Sequence, residues 1–256
     1  MDTEADTCRK YVVPNLVEAG WDNEPHSIAE QRTFTDGRII VTGDRIRRRK
    51  AKRADYILRY TRDIPLAIVE AKAEYKKPGD GMQQAKEYAE ILDLKFAYSS
   101  NGPGILEFDF TTGVEQEVEN FPTPDELWGR LLGSPEYDRL DEEQIGRYLT
   151  PSYQLLGKTP RYYQEIAINR SICEVLKGNR RILLTMATGT GKTLVAYHIC
   201  WRLWQSRWNR TGEYRKSKIL YISDRNILID DPKDKTFIPF GEARHKIEHG
   251  KAIKSR

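Results

Sequence analysis

Residues 55–72 read DYILRYTRDIPLAIVEAK, and the interpretation of the first part of the chain depends on this stretch. A β-rich run begins at Asp55, a polar break follows at 61–63, and a second apolar run at 66–69 leads into Glu70 and Lys72. Two short β-branched and aromatic runs with a polar break between them predict a hairpin. Side chains alternate between the faces of a strand, so Glu70 and Lys72 point the same way, and strand pairing brings Asp55 to that face.

Two carboxylates and an ammonium at the end of an apolar sheet suit divalent-metal phosphodiester hydrolysis. Mg²⁺ binds through one or two carboxylates, water and substrate phosphate, so Asp55 and Glu70 are the metal-ligand candidates. A bound metal acidifies water and offsets charge on the phosphate. Lys72 is placed to orient or deprotonate that water and to stabilise negative charge. An ordinary solvated Glu–Lys pair at the end of a hairpin is the alternative.

This arrangement resembles the PD-(D/E)xK nuclease superfamily, in which an Asp and a Glu-x-Lys at the edge of a central sheet hold the metal. Ala54 stands where that family often has Pro. Gln84 and Tyr88 lie four residues apart, hence on one face of the next helix. A Gln-x-x-x-Tyr pair in this position is similar to the extra motif of RecB-like nucleases and type I restriction motor subunits. The resemblance implies that both residues join the catalytic group; a surface Gln beside a half-buried Tyr is the alternative.

Composition indicates a globular chain in a reducing compartment. A length of 256 residues suits one or two domains with a real core. Charged residues make up 31% with a net charge of only +4, and no run of 18 apolar residues exists, so we expect a soluble protein without a membrane span. The polar, acidic N-terminus is not a signal peptide. Three widely spaced cysteines predict free thiols and a cytoplasmic location, and four scattered histidines argue against zinc.

A helix is predicted over residues 3–19, with Gly20 as its stop signal and Trp21 packed back onto it. This opening resembles that of type I restriction subunits. Glu4, in the first turn, is one candidate to approach the nuclease centre, although a favourable charge at a helix N-terminus is the preferred explanation of it. Glu30, on the next strand, is the rival.

Residues 27–41 predict strands around the turn 35–37, where Asp-Gly is a hairpin signal. Seven of the nine residues 45–53 are basic and stand immediately before Asp55. Their charge predicts contact with the DNA backbone without sequence specificity, and a solvated loop is the alternative. The DNA-binding candidates are Arg47, Arg48, Arg49, Lys50, Lys52 and Arg53.

Residues 96–100 and 105–110 predict two further strands around the turn 101–104. Prolines become frequent from 121 to 160, with short helical patterns near 125–132 and 138–147. We therefore predict a nuclease domain at 1–120, a connector at 121–158 and a second domain at 159–256.

The second domain is marked by a phosphate-binding loop. A buried-strand pattern at 180–185 precedes MATGTGKT at 186–193, and a helical pattern follows at 194–204. Strand, Gly-rich loop, Gly-Lys-Thr and helix are the context that a P-loop requires, and a chance Gly-rich turn is the weak alternative. Backbone N–H groups and the helix N-terminus bind phosphates, Lys192 reaches the β and γ phosphates, and Thr193 holds Mg²⁺. The ATP-binding candidates of the loop are Gly189, Thr190, Gly191, Lys192 and Thr193.

Met186 replaces the first Gly of the general P-loop pattern, as in motif I of superfamily 2 motors, which this octapeptide resembles. Gln164, ahead of the loop, is similar to the residue that reads adenine in that superfamily; a helix-capping Gln is the alternative. Residues 217–225 predict a strand that ends in Asp224-Arg225 and resembles motif Ia of type I restriction translocases.

A nuclease placed before a superfamily 2 motor resembles the restriction subunit of type I restriction–modification enzymes. The resemblance implies an α/β fold, with a PD-(D/E)xK restriction-endonuclease-like mixed sheet and flanking helices followed by a partial RecA-like P-loop domain. It also implies Mg²⁺ and ATP as cofactors, and double-stranded DNA with methylation and specificity subunits as partners. A truncated, non-catalytic DNA- and ATP-binding fragment and a repair helicase–nuclease are the alternatives.

The sequence departs from that family after the P-loop. No Asp-Glu-x-His strand follows it, residues 230–232 are predicted to be a loop, and no second RecA-like domain is present. Because phosphoryl transfer relies on several such parts, we expect weak ATP binding and no translocation. The stretch from about Lys233 is expected to be loosely ordered.

Overall fold

The computed structural model describes residues 4–34, 39–42, 45–48, 51–153 and 159–248, of which 39–42 and 45–48 are described by their backbone only. The chain divides into two compact units, Met1–Arg139 and Leu140–Arg256. The division falls within the predicted connector, so that one of its helices belongs to each unit. The exact bounds 1–120, 121–158 and 159–256 remain a prediction.

The first unit begins with helical turns and continues into strands. Its helices are α1 (Glu4–Thr7), a π-helical turn (Cys8–Val12), α2 (Val13–Glu18), a 3₁₀ turn (Pro78–Gly81), α3 (Met82–Leu92) and α4 (Pro124–Leu132). Its strands are β1 (Ser27–Phe34), β2 (Ile39–Thr42), β3 (Arg45–Arg48), β4 (Lys52–Thr61), β5 (Ile64–Ala71), β6 (Phe96–Ser100), β7 (Ile105–Asp109) and β8 (Val114–Val118).

Six strands form one mixed sheet in the order β1-β4-β5-β6-β7-β8. The pair β5–β6 is parallel and the other neighbours are antiparallel. A parallel pair requires a crossover, and α3 lies in the segment that connects β5 to β6. The buried residues of β4, β5 and β6 form the middle of the core, which explains why these strands have long apolar runs. The predicted hairpin at 55–72 is confirmed as β4 and β5.

The Asp-Gly hairpin predicted around 35–37 is wrong as a pairing, although strands occur on both sides of it. β1 pairs with β4, with Ser27 opposite Arg59 and Phe34 opposite Lys52, whereas β2 pairs with β3 in a separate two-stranded sheet. Pairing with β1 satisfies the backbone N–H and C=O groups along one edge of the long, largely buried strand β4, which a local hairpin over 35–37 would leave without a partner. Turn residues 35–38 lie outside the described residues.

Gly20 ends the N-terminal helical segment in a left-handed conformation, with φ of 89°. Trp21 is fully buried, and its indole N–H donates to the carbonyl of Pro122 at 2.9 Å. The predicted stop is therefore confirmed. Trp21 is buried, and its indole bond reaches the residues before α4, so it attaches the N-terminal segment to that part of the unit.

A buried polar network attaches α4 to the sheet face opposite Glu70. The Nη1 and Nη2 atoms of the Arg130 guanidinium each donate to a different carboxylate oxygen of Glu107 at 2.9 Å, and Nη2 also donates to Asp109 at 2.7 Å. The Tyr98 hydroxyl donates to Glu107 at 2.5 Å. Burial raises the pKa of Glu107, but the hydrogen bonds from Arg130 and Tyr98 outweigh it and hold that pKa below its ordinary value.

Replacing Arg130 by Met is expected to lower the free energy of unfolding by about 2 to 4 kcal/mol, because Glu107 is then buried without its cation. Arg62→Met is the matched control: its ion pair with Asp63 is exposed at 3.5 Å, and its loss is expected to cost less than about 1 kcal/mol. Urea unfolding of both variants at neutral pH measures the difference. Equal stabilities would show that the buried network contributes little.

The second unit is helical in its described part. Its helices are α5 (Glu142–Tyr148), α6 (Tyr162–Leu176), α7 (Lys192–Gln205) and α8 (Ile227–Asp231), with a π turn at Pro232–Thr236 and a 3₁₀ segment at Ile238–Ala243. Arg202 of α7 is 1% exposed and donates to the carbonyls of Tyr148 and Thr150 and to the Asn169 side chain. This one side chain therefore joins α5, α6 and α7.

The strands predicted at 180–185 and 217–225 are not formed, and residues 140–153 and 159–248 contain no strand. Leu183 is 91% exposed, and Leu220 and Ile222 are exposed as well. An apolar run becomes a parallel strand only when neighbouring strands pair with it and cover its faces. The local apolar pattern therefore predicts a strand, but the pattern alone does not make the segment form one.

Two smaller expectations for the end of the chain are also corrected. Asp230 and Asp231 lie in α8 rather than in a loop. Phe237 packs edge-on against Tyr197, with ring centroids 5.7 Å apart, and Phe240 against Trp201 at 5.3 Å. Within the stretch that was expected to be loosely ordered, Phe237 and Phe240 are therefore packed on α7. No described helix is long and apolar enough to cross a membrane.

Candidate active site

Asp55 and Glu70 are brought together by the pairing of β4 with β5. Tyr56 lies opposite Val69, so Asp55 and Glu70 are neighbours across the two strands. The backbone N–H of Asp55 donates to Glu70 Oε1 at 3.4 Å, and the backbone N–H of Ala71 donates to Asp55 Oδ2 at 2.9 Å. Backbone groups of each strand therefore fix the carboxylate of the other.

The surroundings of Glu70 destabilise the ionised form of its carboxyl group. It is 1% exposed, and its pKa is raised to about 8 by burial and then by the neighbouring charge of Asp55, against a smaller opposing effect of Lys72. Two adjacent carboxylates with too little positive charge between them favour a bound cation. Among the residues that the structure describes, no group of three or more His, Cys, Asp or Glu has metal-binding geometry, but Mg²⁺ needs only one or two carboxylates besides water and phosphate.

Lys72 follows β5 directly, and its ammonium donates to Gln84 Oε1 at 3.4 Å. Its aliphatic chain passes over Gly81: a Cβ built at Gly81 would lie 2.9 Å from Lys72 Cε and 2.5 Å from Ser99 Oγ. The Ser99 hydroxyl is itself held by the Pro78 carbonyl at 2.5 Å. The position of the Lys72 ammonium therefore depends on the absence of a side chain at Gly81, which no motif in the sequence had indicated.

Gly81→Ala is expected to displace the Lys72 ammonium and to reduce DNA cleavage by about 10-fold or more, since an error of about 1 Å at a catalytic group has large effects. Gly79→Ala is the matched control, because a Cβ there would meet only Leu106 Cδ2 at an ordinary 3.5 Å. Cleavage rates are compared after thermal melts show both variants folded. A Gly81→Ala protein that cuts like the parent would contradict this dependence.

Gln84 and Tyr88 of α3 complete the cluster. Gln84 Nε2 donates to Glu70 Oε2 at 2.7 Å and lies 3.3 Å from the Tyr88 hydroxyl oxygen. Burial, and then the charge of Glu70, raise the pKa of Tyr88. The ring of Phe34 packs edge-on against Tyr88 at 5.1 Å. The structure therefore brings Asp55, Glu70, Lys72, Gln84 and Tyr88 to one sheet end.

Glu4 and Glu30, the two candidates for an additional acidic residue near the site, act electrostatically on different groups. The charge of Glu4 raises the pKa of Glu70, whereas Glu30 acts on Tyr56. Cys8, in the π-helical turn, is hydrogen-bonded to Tyr56, and burial raises the pKa of its thiol, with a smaller contribution from Asp55. Cys8 and Tyr56 are neighbours of the site that sequence reasoning missed, because neither belongs to a recognisable motif.

The structure describes the side chains of only some of the DNA-binding candidates in the basic run 45–53. Lys52 is ion-paired with Glu87 of α3, and its ammonium lies 5.5 Å from the centre of the Tyr88 ring. Arg53 is exposed. Arg47 and Arg48 lie on β3 without described side chains, and Arg49 and Lys50 lie outside the described residues.

The phosphate loop of the second unit precedes α7, which begins at Lys192. Gly189 and Gly191 have φ of 78° and 83°, a conformation that L side chains rarely adopt. The exposed Lys192 ammonium donates to the carbonyls of Met186 and Ala187 at 3.2 and 3.1 Å. Thr193 is the second residue of α7. A Gly-rich turn before a helix N-terminus, with a lysine at its mouth, fits the phosphates of a nucleotide.

Gln164 contacts the phosphate loop directly. Its Nε2 donates to the carbonyl of Thr190 at 2.7 Å, and its Oε1 accepts the backbone N–H of Arg161 at 2.8 Å. A Cβ at Gly191 would overlap Gln164 Nε2. The structure thus gives Gln164 the helix-capping contact that was the alternative, together with a contact to the loop.

These features define an α/β chain with a six-stranded mixed sheet and a helical second unit that carries a Gly-rich loop before α7, and comparison with known proteins agrees with that class. Residues 157–256 match the family model "Type III restriction enzyme, res subunit". The chain belongs to the family of type I restriction enzyme endonuclease subunits: over 253 residues it is 42% identical to the EcoAI endonuclease subunit of Escherichia coli, with 96% of this chain and 30% of that protein covered.

Two further relatives support the same family. The EcoKI endonuclease subunit of Escherichia coli K12 is 37% identical over 179 residues, which are 64% of this chain and 14% of that subunit. A solved fragment of an HsdR subunit of a type I restriction enzyme from Vibrio vulnificus YJ016 is 56% identical, with a TM-score of 0.84 over 99% of this chain and 45% of that one. The chain thus spans less than half the length of each of these relatives.

Proposed function

We propose that this chain carries the DNA-cutting centre of a type I restriction endonuclease subunit, of the PD-(D/E)xK kind, and acts on double-stranded DNA. The observation that carries the proposal is the convergence of Asp55, Glu70, Lys72 and Gln84 at the end of paired buried strands. A hairpin with an ordinary surface ion pair would leave its Glu in solvent, whereas Glu70 is buried beside a second carboxylate.

In the proposed centre, Asp55 and Glu70 would hold Mg²⁺, which supplies an acidified water and offsets charge on the scissile phosphate when bound. The raised pKa of Glu70 supports this, because a cation relieves the repulsion that raises it. Lys72 orients the attacking water and stabilises the negative charge that develops on phosphate. Gln84 fixes the direction of Glu70 through Nε2 and that of the Lys72 ammonium through Oε1, and the Tyr88 hydroxyl is a second acceptor for the same Nε2.

We further propose that the second unit binds ATP through residues 189–193 and Gln164, with Thr193 on the Mg²⁺ of the nucleotide, as part of a DNA-translocating motor. Methylation and specificity subunits are the proposed partners, and the cytoplasm is the proposed location. Family membership supports these proposals. The positive φ of the two loop glycines supports the binding of nucleotide phosphates by the loop.

Plasmid cleavage with Mg²⁺ tests the cutting centre. The parent protein, assembled with its methylation and specificity subunits and with the motor restored, is compared with Asp55→Ala, Glu70→Ala and Lys72→Ala. We expect cleavage by the parent and a loss of about 100-fold or more in each variant. Cleavage that all three variants retain would place the active site elsewhere, and a parent that never cuts would favour a non-catalytic DNA-binding fragment.

A further inference from the structure

A strongly basic loop follows the P-loop helix α7. Residues 206–218, named here the basic loop, contain five cations and one carboxylate, and this short segment alone therefore carries as much net positive charge as the whole chain. All five cationic residues are exposed; they are Arg207, Arg210, Arg215, Lys216 and Lys218.

The basic loop has a defined conformation although it covers little apolar surface. The Asn209 side chain accepts from the backbone N–H and the hydroxyl of Thr211, at 3.1 and 2.7 Å, and donates to the carbonyls of Glu213 and Arg215. Arg207 has φ of 54°, a left-handed conformation that non-glycine residues seldom adopt. Arg207 closes α7: its N–H donates to the Trp204 carbonyl at 3.3 Å and the Trp208 N–H donates to the Leu203 carbonyl at 3.1 Å, which is a common way for a helix to end in the left-handed conformation.

Cations of the basic loop are stacked on aromatic rings. The guanidinium of Arg207 lies 4.7 Å from the centre of the Tyr214 ring, and the ammonium of Lys216 lies 3.5 Å from that of Trp204. Tyr214 is nevertheless 73% exposed. A large aromatic ring is thus presented to solvent with a fixed cation beside it, and Arg210 and Lys218 stand near it in sequence.

The basic loop is separate from the phosphate loop. The two segments adjoin opposite ends of α7, a helix of 14 residues, and such a helix is about 21 Å long. A nucleotide bound at Lys192 therefore cannot account for the charge and the exposed ring at the far end of the helix.

We propose that the basic loop binds a single-stranded nucleic acid, with Tyr214 stacked on an unpaired base and Arg210 and Lys218 on phosphates. Proteins that bind single strands combine cations along the backbone with aromatic rings on which bases stack. An acidic protein surface would match the cations, but a single strand matches both features at once, because its phosphates pair with the cations and its unpaired bases stack on the exposed ring. The inference does not depend on the cutting centre or on ATP binding.

The test is binding of the chain to a fluorescein-labelled oligothymidylate of about 16 nucleotides, measured by anisotropy in EDTA over a series of salt concentrations. Tyr214→Leu is expected to weaken binding by about 10-fold at unchanged salt dependence, because stacking is lost, and Tyr214→Phe is expected to restore it. Arg210→Gln with Lys218→Gln is expected to reduce the slope of log K against log salt by about 1.4.

Lys235→Gln removes an exposed cation outside the loop and is expected to leave the affinity for the oligothymidylate unchanged. This control distinguishes an effect of the basic loop from an effect of the overall charge of the chain. Thermal melts establish that the variants are folded. Three results would overturn the proposal: a parent that does not bind the oligothymidylate, loop variants that bind it like the parent, or a ring substitution without effect while a duplex of equal length binds equally well. A protein partner of the loop would give the second of these results.

Discussion

Glu70→Gln is expected to stabilise the metal-free protein at pH 9 by an amount on the order of 5 kcal/mol, while it abolishes metal-dependent cleavage. The folded-state pKa of Glu70 is about 8 against an ordinary value of 4.5. The folded protein therefore retains a proton that the unfolded chain releases, and this contribution to stability is complete below pH 4.5 and is lost as pH rises through about 8. Gln cannot ionise, so the advantage of the variant grows over the same interval and vanishes at pH 4.

Thermal melts of parent and Glu70→Gln from pH 4 to 9, with and without Mg²⁺, measure both effects. Mg²⁺ is expected to raise the melting temperature of the parent at pH 9 and to leave that of the variant unchanged, because binding to the folded state alone stabilises it. Glu117→Gln, on the exposed strand β8, is the control and is expected to show neither change. A variant that is less stable than the parent at pH 9 would contradict the buried, repelled state of Glu70.

Lys192→Ala is expected to reduce ATP hydrolysis by about 100-fold or more when it is made in a full-length subunit assembled with its partners. The lysine is the exposed cation at the mouth of the Gly-rich turn, and removal of one such charge from a site of phosphoryl transfer has effects of this size. Initial rates of phosphate release, measured with and without DNA, test it.

The control for this substitution is Lys177→Ala, which removes a lysine paired with Glu174 at the end of α6 and is expected to leave the hydrolysis rate within about two-fold of the parent's. Hydrolysis that survives Lys192→Ala would show that residues 186–193 do not bind the nucleotide. If DNA cleavage also fails in Lys192→Ala, intact metal binding at Asp55 and Glu70 would show that the motor has stopped and that the cutting centre itself is undamaged.

The arrangement of the proposed cutting centre was largely predictable because its residues are close in sequence and lie on regular elements. A strand pair brings Asp55 to Glu70, alternation along β5 brings Glu70 to Lys72, and one helical face brings Gln84 to Tyr88. The proximity of the residues in each of these pairs follows from the regular geometry of a hairpin or a helix.

Features that depend on distant partners were not predictable. β1 pairs with β4 rather than across its local Asp-Gly turn, since the edge of β4 offers a long row of backbone hydrogen-bonding groups that the local turn signal does not reveal. The network of Tyr98, Glu107 and Arg130 joins three elements, and no local pattern relates them. The apolar runs at 180–185 and 217–223 read as strands, but strand formation requires neighbours that the pattern does not reveal.

The central claim, that Asp55 and Glu70 together hold the divalent metal of the cutting centre, is tested most directly by Mn²⁺ binding followed by electron paramagnetic resonance at pH 8.5 without nucleotide. The parent is expected to bind Mn²⁺, Lys72→Ala to bind it with similar affinity, and both Asp55→Asn and Glu70→Gln to lose that binding. Undiminished binding in either carboxylate variant would contradict the assignment.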